Sequence, residues 1–174
     1  MDIFKHLSAV TGLGVAVLDV TGEKRFTSKI HDDLDVFLHV FLTALDCLEA
    51  DRTSLLYGCY QARRFGGRYI FFTPSGLAYC ASHLTEESGD LTVGVAAGPF
   101  LMTDHDDFLE MDVLTRNNID KTTVDIIKQN IYKIPYLTSA QARSVSELLY
   151  CCTKSQIDSK KYSHRRYYRL THFQ

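Results

Sequence analysis

Between residues 68 and 98 three runs rich in aromatic and small apolar residues follow one another with very little chain between them: 68–73 (RYIFFT), 77–84 (LAYCASHL) and 91–98 (LTVGVAAG). Each has the length and residue types of a β-strand. A parallel pair needs a crossover of a dozen or more residues, so links this short restrict the three to antiparallel neighbours. Pro74-Ser75-Gly76 supplies the first turn, proline presetting one dihedral and glycine accepting positive φ. The polar stretch 86–90 reads as the second hairpin loop.

Upstream, 15–20 (VAVLDV) reads as a buried strand, which a turn at 19–23 leads into a more polar strand at 24–28. Helical spacing of apolar residues predicts a short helix over 2–11 and a longer one over 34–50, the latter with Leu34, Phe37, Leu38, Phe41, Leu45 and Leu48 on one face. A less regular helical segment spans 54–63. Downstream, 106–114 and 122–130 read as short helices, the second ended by Ile134-Pro135. Thr138 or Ser139 caps a helix from 140 to about 160, with Val145, Leu148, Leu149, Cys152 and Ile157 in one stripe. The expected class is α+β: a five-stranded antiparallel sheet with flanking helices on one face and at both ends, and a long C-terminal helix. This layout is that of PAS- and GAF-like sensor domains, which hold a ligand between the sheet and the helices that interrupt it.

The 174 residues, 45% hydrophobic, fit one core. Formal charge is −2 overall, but residues 154–174 carry +5, which leaves −7 on residues 1–153. The expected division is therefore a ligand-binding sensor domain over 1–160 and a basic linker over 161–174. No apolar run reaches the ~18 residues of a membrane-spanning helix, and the N-terminus lacks the features of a signal peptide; a cytoplasmic location without membrane contact is expected. Five cysteines, an odd number without a CxxC, read as free thiols. No GxSxG, HExxH, P-loop or GxGxxG is present, so no enzyme activity and no cofactor are expected. Asp104, Asp106, Asp107, Glu110 and Asp112, with His105 among them, read as a solvated helix N-terminus.

Alternation along the strands suggests where a small organic ligand would sit. Tyr69, Phe71 and Thr73 share one side of the first strand of the trio, Tyr79 and His83 one side of the second, and Gly94 and Ala96 one side of the third. Small residues beside bulky aromatics make room for a ligand, and Gly94→Leu is expected to abolish binding there. Two other readings compete. The aromatics could fill the space themselves, leaving a ligand-free interaction or dimerisation module. Alternatively, Cys47, Cys59, Cys80 and His83 could form a metal or redox sensor, although strand positions 80 and 83 point to opposite faces.

Three stretches resemble the PocR-type sensory domain of bacterial AraC-family transcription regulators: Val10-Thr11-Gly12-Leu13 running into VAVLDV, Tyr69 through Thr73-Pro74-Ser75-Gly76-Leu77, and Val93 through Gly98-Pro99-Phe100. Lys133-Ile134-Pro135-Tyr136-Leu137-Thr138, followed by Glu147-Leu148-Leu149, is similar to the exit from such a domain. Thr73 stands near the place where many of these domains carry a cysteine, which weighs against thiol or metal chemistry. The resemblance implies a small, low-charge organic ligand, a homodimer, and DNA contact only through a domain beyond residue 174.

Overall fold

The computed structural model describes the backbone of residues 2–28, 32–84, 92–115 and 119–171, with side chains except at 25, 32, 92, 93 and 157–171. Five strands form close to the expected places: β1 (Val15–Asp19), β2 (Lys24–Ser28), β3 (Arg68–Phe72), β4 (Ala78–His83) and β5 (Thr92–Phe100). They make one antiparallel sheet in the order β2-β1-β5-β4-β3. The loop expected at 86–90 lies outside the described residues.

Local chemistry explains both described hairpin turns. The buried Asp19 carboxylate accepts hydrogen bonds from Thr21 N (2.8 Å), Thr21 Oγ1 (2.6 Å) and Glu23 N (2.9 Å), folding the β1–β2 link around one side chain. Between β3 and β4, Gly76 takes φ 86°, with Thr73 N donating to the Leu77 carbonyl at 2.8 Å.

Helices cover both faces of the sheet, not one as the sequence suggested. Against one face lie α1 (Asp2–Thr11) and α6 (Ser139–Thr171), where Phe4, Leu7, Ala142, Val145 and Leu149 pack on Val15, Val17, Cys80, Val95 and Ala97. Against the other lies α3 (Leu48–Arg64), where Leu55, Cys59 and Ala62 pack on Leu18, Phe71, Ala81 and Ala96. All five residues of β1 are buried, the mark of a strand covered on both sides. A third cluster caps one end of the sheet. There α2 (Asp32–Ala44) brings Phe37 and Phe41 against Phe108, Ile127, Ile131 and Ile134.

The single helix expected over 34–50 is two helices. Asp46 turns left-handed at φ 53°, and Cys47 N donates to the Leu42 carbonyl at 2.9 Å. One straight helix would have to point the apolar residues of 37–45 at the end cluster and those of 55–62 at the sheet. The break lets each stripe reach its own partner.

Downstream, Asp104 caps α4 (His105–Phe108), which runs into a π-helical turn, Leu109–Val113. His105 Nε2 donates to the Ile134 carbonyl at 2.8 Å, and Tyr132 Oη to Asp106 at 2.5 Å, so these residues serve as caps and ties. Asp120 caps α5 (Lys121–Asn130), and the 3-10 turn Ile131–Lys133 follows. The chain then lies along the end of β5, with Leu101 N on the Pro135 carbonyl and Leu137 N on the Leu101 carbonyl, both at 2.8 Å. Thr138 and Gln141 cap α6 reciprocally: Thr138 N donates to Gln141 Oε1 at 2.8 Å, and Gln141 N to Thr138 Oγ1 at 3.3 Å. No described helix is long and apolar enough to cross a membrane.

Candidate functional site

The strand register builds the site. On the face toward α2 and α3, Tyr69, Ala81, Ala96, Ala16 and Thr27 stand opposite one another across the five strands. Beside them, Gly98 N donates to the Gly14 carbonyl at 2.9 Å. Two stripes of small residues at every second position, Gly12-Gly14-Ala16 and Gly94-Ala96-Gly98, thus run alongside each other at the middle of the sheet. Beside these small residues, past the buried Leu18, a cavity of about 220 Å³ opens. Ala16, Ala96, Thr27 and Lys24 line it from the sheet, Leu34, Asp35 and Leu38 from α2, and Leu55 from α3. Tyr79, Pro99, Lys133 and Pro135 also line it.

Of the seven sequence-predicted ligand residues, six (Tyr69, Phe71, Tyr79, His83, Gly94 and Ala96) share this face, but only Tyr79 and Ala96 line the cavity. Tyr69, Phe71 and Tyr79 fill their half of the face by stacking, with ring centroids 6.0 Å apart at each step and the exposed Phe65 5.4 Å beyond Tyr69. Gly58 of α3 sits directly against the Phe71 ring. Gly94 is also closed off: a β-carbon there would lie 2.7 Å from Cys59 Cβ and 2.7 Å from the Ser82 carbonyl oxygen. The space left by Gly94 belongs to helix α3, not to a ligand. Thr73 is buried in the β3–β4 turn, its Oγ1 2.9 Å from Ser75 Oγ. His83 stands opposite Gly94, away from the cavity lining.

Most of the missed residues came from the first half of the chain, α2 included, and Gly98, Pro99, Lys133 and Pro135 from the second. Their signal was the period-two spacing of Gly12, Gly14 and Ala16, which matches that of Gly94, Ala96 and Gly98. Recognising it required knowing that β1 and β5 are neighbours.

Tyr79 is one of the polar residues of the lining, with Lys24, Thr27, Ser28, Asp35 and Lys133. Gly98, at φ 152°, makes room for its ring, since a β-carbon there would lie 2.5 Å from Tyr79 Cδ1. Burial, followed by the nearby charges of Asp51 and Asp35, raises the Tyr79 phenol well above its usual value near 10, so it stays protonated. No hydrogen bond to its hydroxyl is found among the described residues.

The cysteine set does not assemble. Cys80 lies on the α6 side of the sheet, its thiol donating to the Ala142 carbonyl at 3.5 Å, whereas Cys59 packs on the opposite face. Cys47 belongs to the end cluster. Among the described residues no three potential ligands come together around a metal position. Burial pushes the Cys59 and Cys80 thiols up to about 12, while Cys151 is exposed. At pH 8 a disulfide reagent is therefore expected to titrate Cys151 first, with Cys59 and Cys80 reacting roughly 10³-fold more slowly until denaturant is added. Fast release of three or more thiols from folded protein would reinstate thiol chemistry.

No protein-family model matches the chain, and neither does any curated protein or any solved structure.

Proposed function

We propose that the protein is a cytoplasmic small-molecule-sensing regulatory domain, PAS/GAF-like in fold and PocR-like in kind, whose ligand occupies the cavity between the sheet and α2. The observation that carries this reading is the cavity itself, a mostly apolar space with a protonated phenol in its lining. Its volume, about 220 Å³, exceeds the ~150 Å³ that accommodates benzene and falls below the ~300 Å³ where pockets for drug-sized ligands begin. The helices between β2 and β3 cover the cavity-bearing face, as expected of a sensor that holds its ligand under the inserted helices.

Output runs through α6 to a DNA-binding domain beyond residue 174, in a homodimer. A contact supports the first step: Arg68 of β3 pairs with Glu147 of α6 at 2.8 Å and lies 5.7 Å from the centre of the Tyr150 ring. Tyr69 and Phe71 of the same strand belong to the stack that ends on Tyr79. A ligand that moves Tyr79 thereby loads the strand that α6 grips. Regulation follows if the ligand binds two arrangements of that strand with unequal affinity.

The stack also favours a second reading, a ligand-free interaction module, because aromatics already fill half of the face. Native mass spectrometry before and after denaturation, with an Ala96→Leu variant, separates the two. Under the sensor reading the wild type carries an extra mass of roughly 100–200 Da, as a cavity near benzene size implies, and Ala96→Leu loses it without unfolding. A bare wild-type mass together with a higher melting temperature for Ala96→Leu would identify an empty cavity and favour the module.

A further inference from the structure

The charged groups at the cavity point to a class of ligand. Residues 1–153 carry −7, yet two lysines, Lys24 from β2 and Lys133 from the turn after α5, line this one apolar space. Neither has an ion pair among the described residues. The lining carboxylate, Asp35, is already engaged in an interaction. Two exposed lysines against one carboxylate leave this lining net positive in an otherwise acidic body.

Resting on the cavity reading above, we propose that the ligand is a small organic monocarboxylate: its carboxylate meets Lys24 and Lys133, its apolar body covers Ala16 and Ala96, and a neutral acceptor elsewhere on it accepts a hydrogen bond from the Tyr79 hydroxyl. The charges around the lining set this orientation. Asp51 and Asp35 make the surroundings of the Tyr79 hydroxyl negative, which repels a carboxylate there and keeps the hydroxyl a donor. The two lysines offer only cationic donors, which a carboxylate accepts from and an ammonium group does not. A cationic ligand would place like charge beside both lysines.

Isothermal titration of the full chain tests this with probes of one shape and three charges: 4-hydroxybenzoate, 4-hydroxybenzamide and 4-hydroxybenzylamine. Hexanoate and hexanamide serve as a second, aliphatic pair. At least one acid is expected to bind tenfold or more tightly than its amide, and the benzylamine not at all. In a Lys24→Gln, Lys133→Gln double variant with unchanged melting temperature, the acid weakens at least tenfold while the amide does not change. Tyr79→Phe removes the advantage of 4-hydroxybenzoate over benzoate. An amide or amine that binds as well as its acid overturns the carboxylate while the cavity reading stands. If no probe binds but native spectra show a bound mass, the carboxylate again falls alone. If no probe binds, no mass is carried and Ala96→Leu is stabilised, both readings fall together.

Discussion

Gly94→Leu is expected to destabilise the protein by about 3 kcal/mol or more, whereas Ala96→Leu, two residues along the same strand and on the same face, is expected to cost far less. At position 94 a first side-chain carbon already lies 2.7 Å from both Cys59 Cβ and the Ser82 carbonyl oxygen, and 2.8 Å from Cys59 Sγ. Two of those atoms belong to α3 and the third to the backbone of the neighbouring strand, so no side-chain rotation relieves the contact. Leucine would have to lift α3 off the sheet. Overpacking typically costs ~1–3 kcal/mol and occasionally more; separating a helix from its sheet belongs at the upper end, against a total stability of ~5–15 kcal/mol. Position 96, although it packs against α3, also borders the cavity, so a longer side chain there has open space to enter. Urea denaturation of the two variants measures the contrast. Equal midpoints would mean that α3 does not rest on Gly94.

The second large effect concerns Asp51. Its buried carboxylate accepts from Ser75 N at 3.1 Å and from Ser75 Oγ at 2.5 Å, and so ties the first turn of α3 to the β3–β4 turn. Asp51→Ala strands the buried Ser75 N–H and leaves Ser75 Oγ with Thr73 Oγ1 in place of a charged acceptor. Hydrogen bonds to charged groups contribute ~1.5–3 kcal/mol each, and an unsatisfied buried donor costs a similar amount, so a loss of about 3 kcal/mol is expected. Ser75→Ala should cost less, because it leaves the backbone N–H bond in place. The double variant should fall short of the sum by at least ~1 kcal/mol, as residues of one network do. A loss below ~0.5 kcal/mol for Asp51→Ala would put the carboxylate in water and sever this link.

Asp51 also shows where reading the sequence stops. Pro74-Ser75-Gly76 is recognisable as a turn from its residues alone, because proline and glycine act on their own dihedrals. That an aspartate 24 positions earlier would hold it together follows only from the placement of α3. The five strands were legible for the same local reason, as was the cap at Thr138. The two-sided burial of β1 was legible in part, since VAVL does not alternate, but helix spacing alone does not say which face a helix will choose. The break at Asp46 is carried by no glycine or proline; it comes from the separate destinations of two apolar stripes. Among the candidate site residues, alternation placed six on one face correctly. It failed to separate Gly94, filled by α3, from Ala96, two residues on, because that distinction depends on a helix from elsewhere in the chain.

Ala16 of β1 and Ala96 of β5 stand side by side in the middle of the sheet although they come from distant parts of the chain. The floor of the cavity is therefore a seam between an early and a late part of the chain. A ribosome releases β1 and β2 long before β5, and until β5 arrives the hairpin has one edge unpaired and one face uncovered. The ordering entropy of closing so long a loop grows only slowly with its length, each doubling adding ~0.6 kcal/mol, but no part of it is recovered until the whole intervening stretch has been made. The cavity thus cannot form until β5 and then the segment carrying Lys133 and Pro135 have been made, and a chain truncated before β5 would lack its floor.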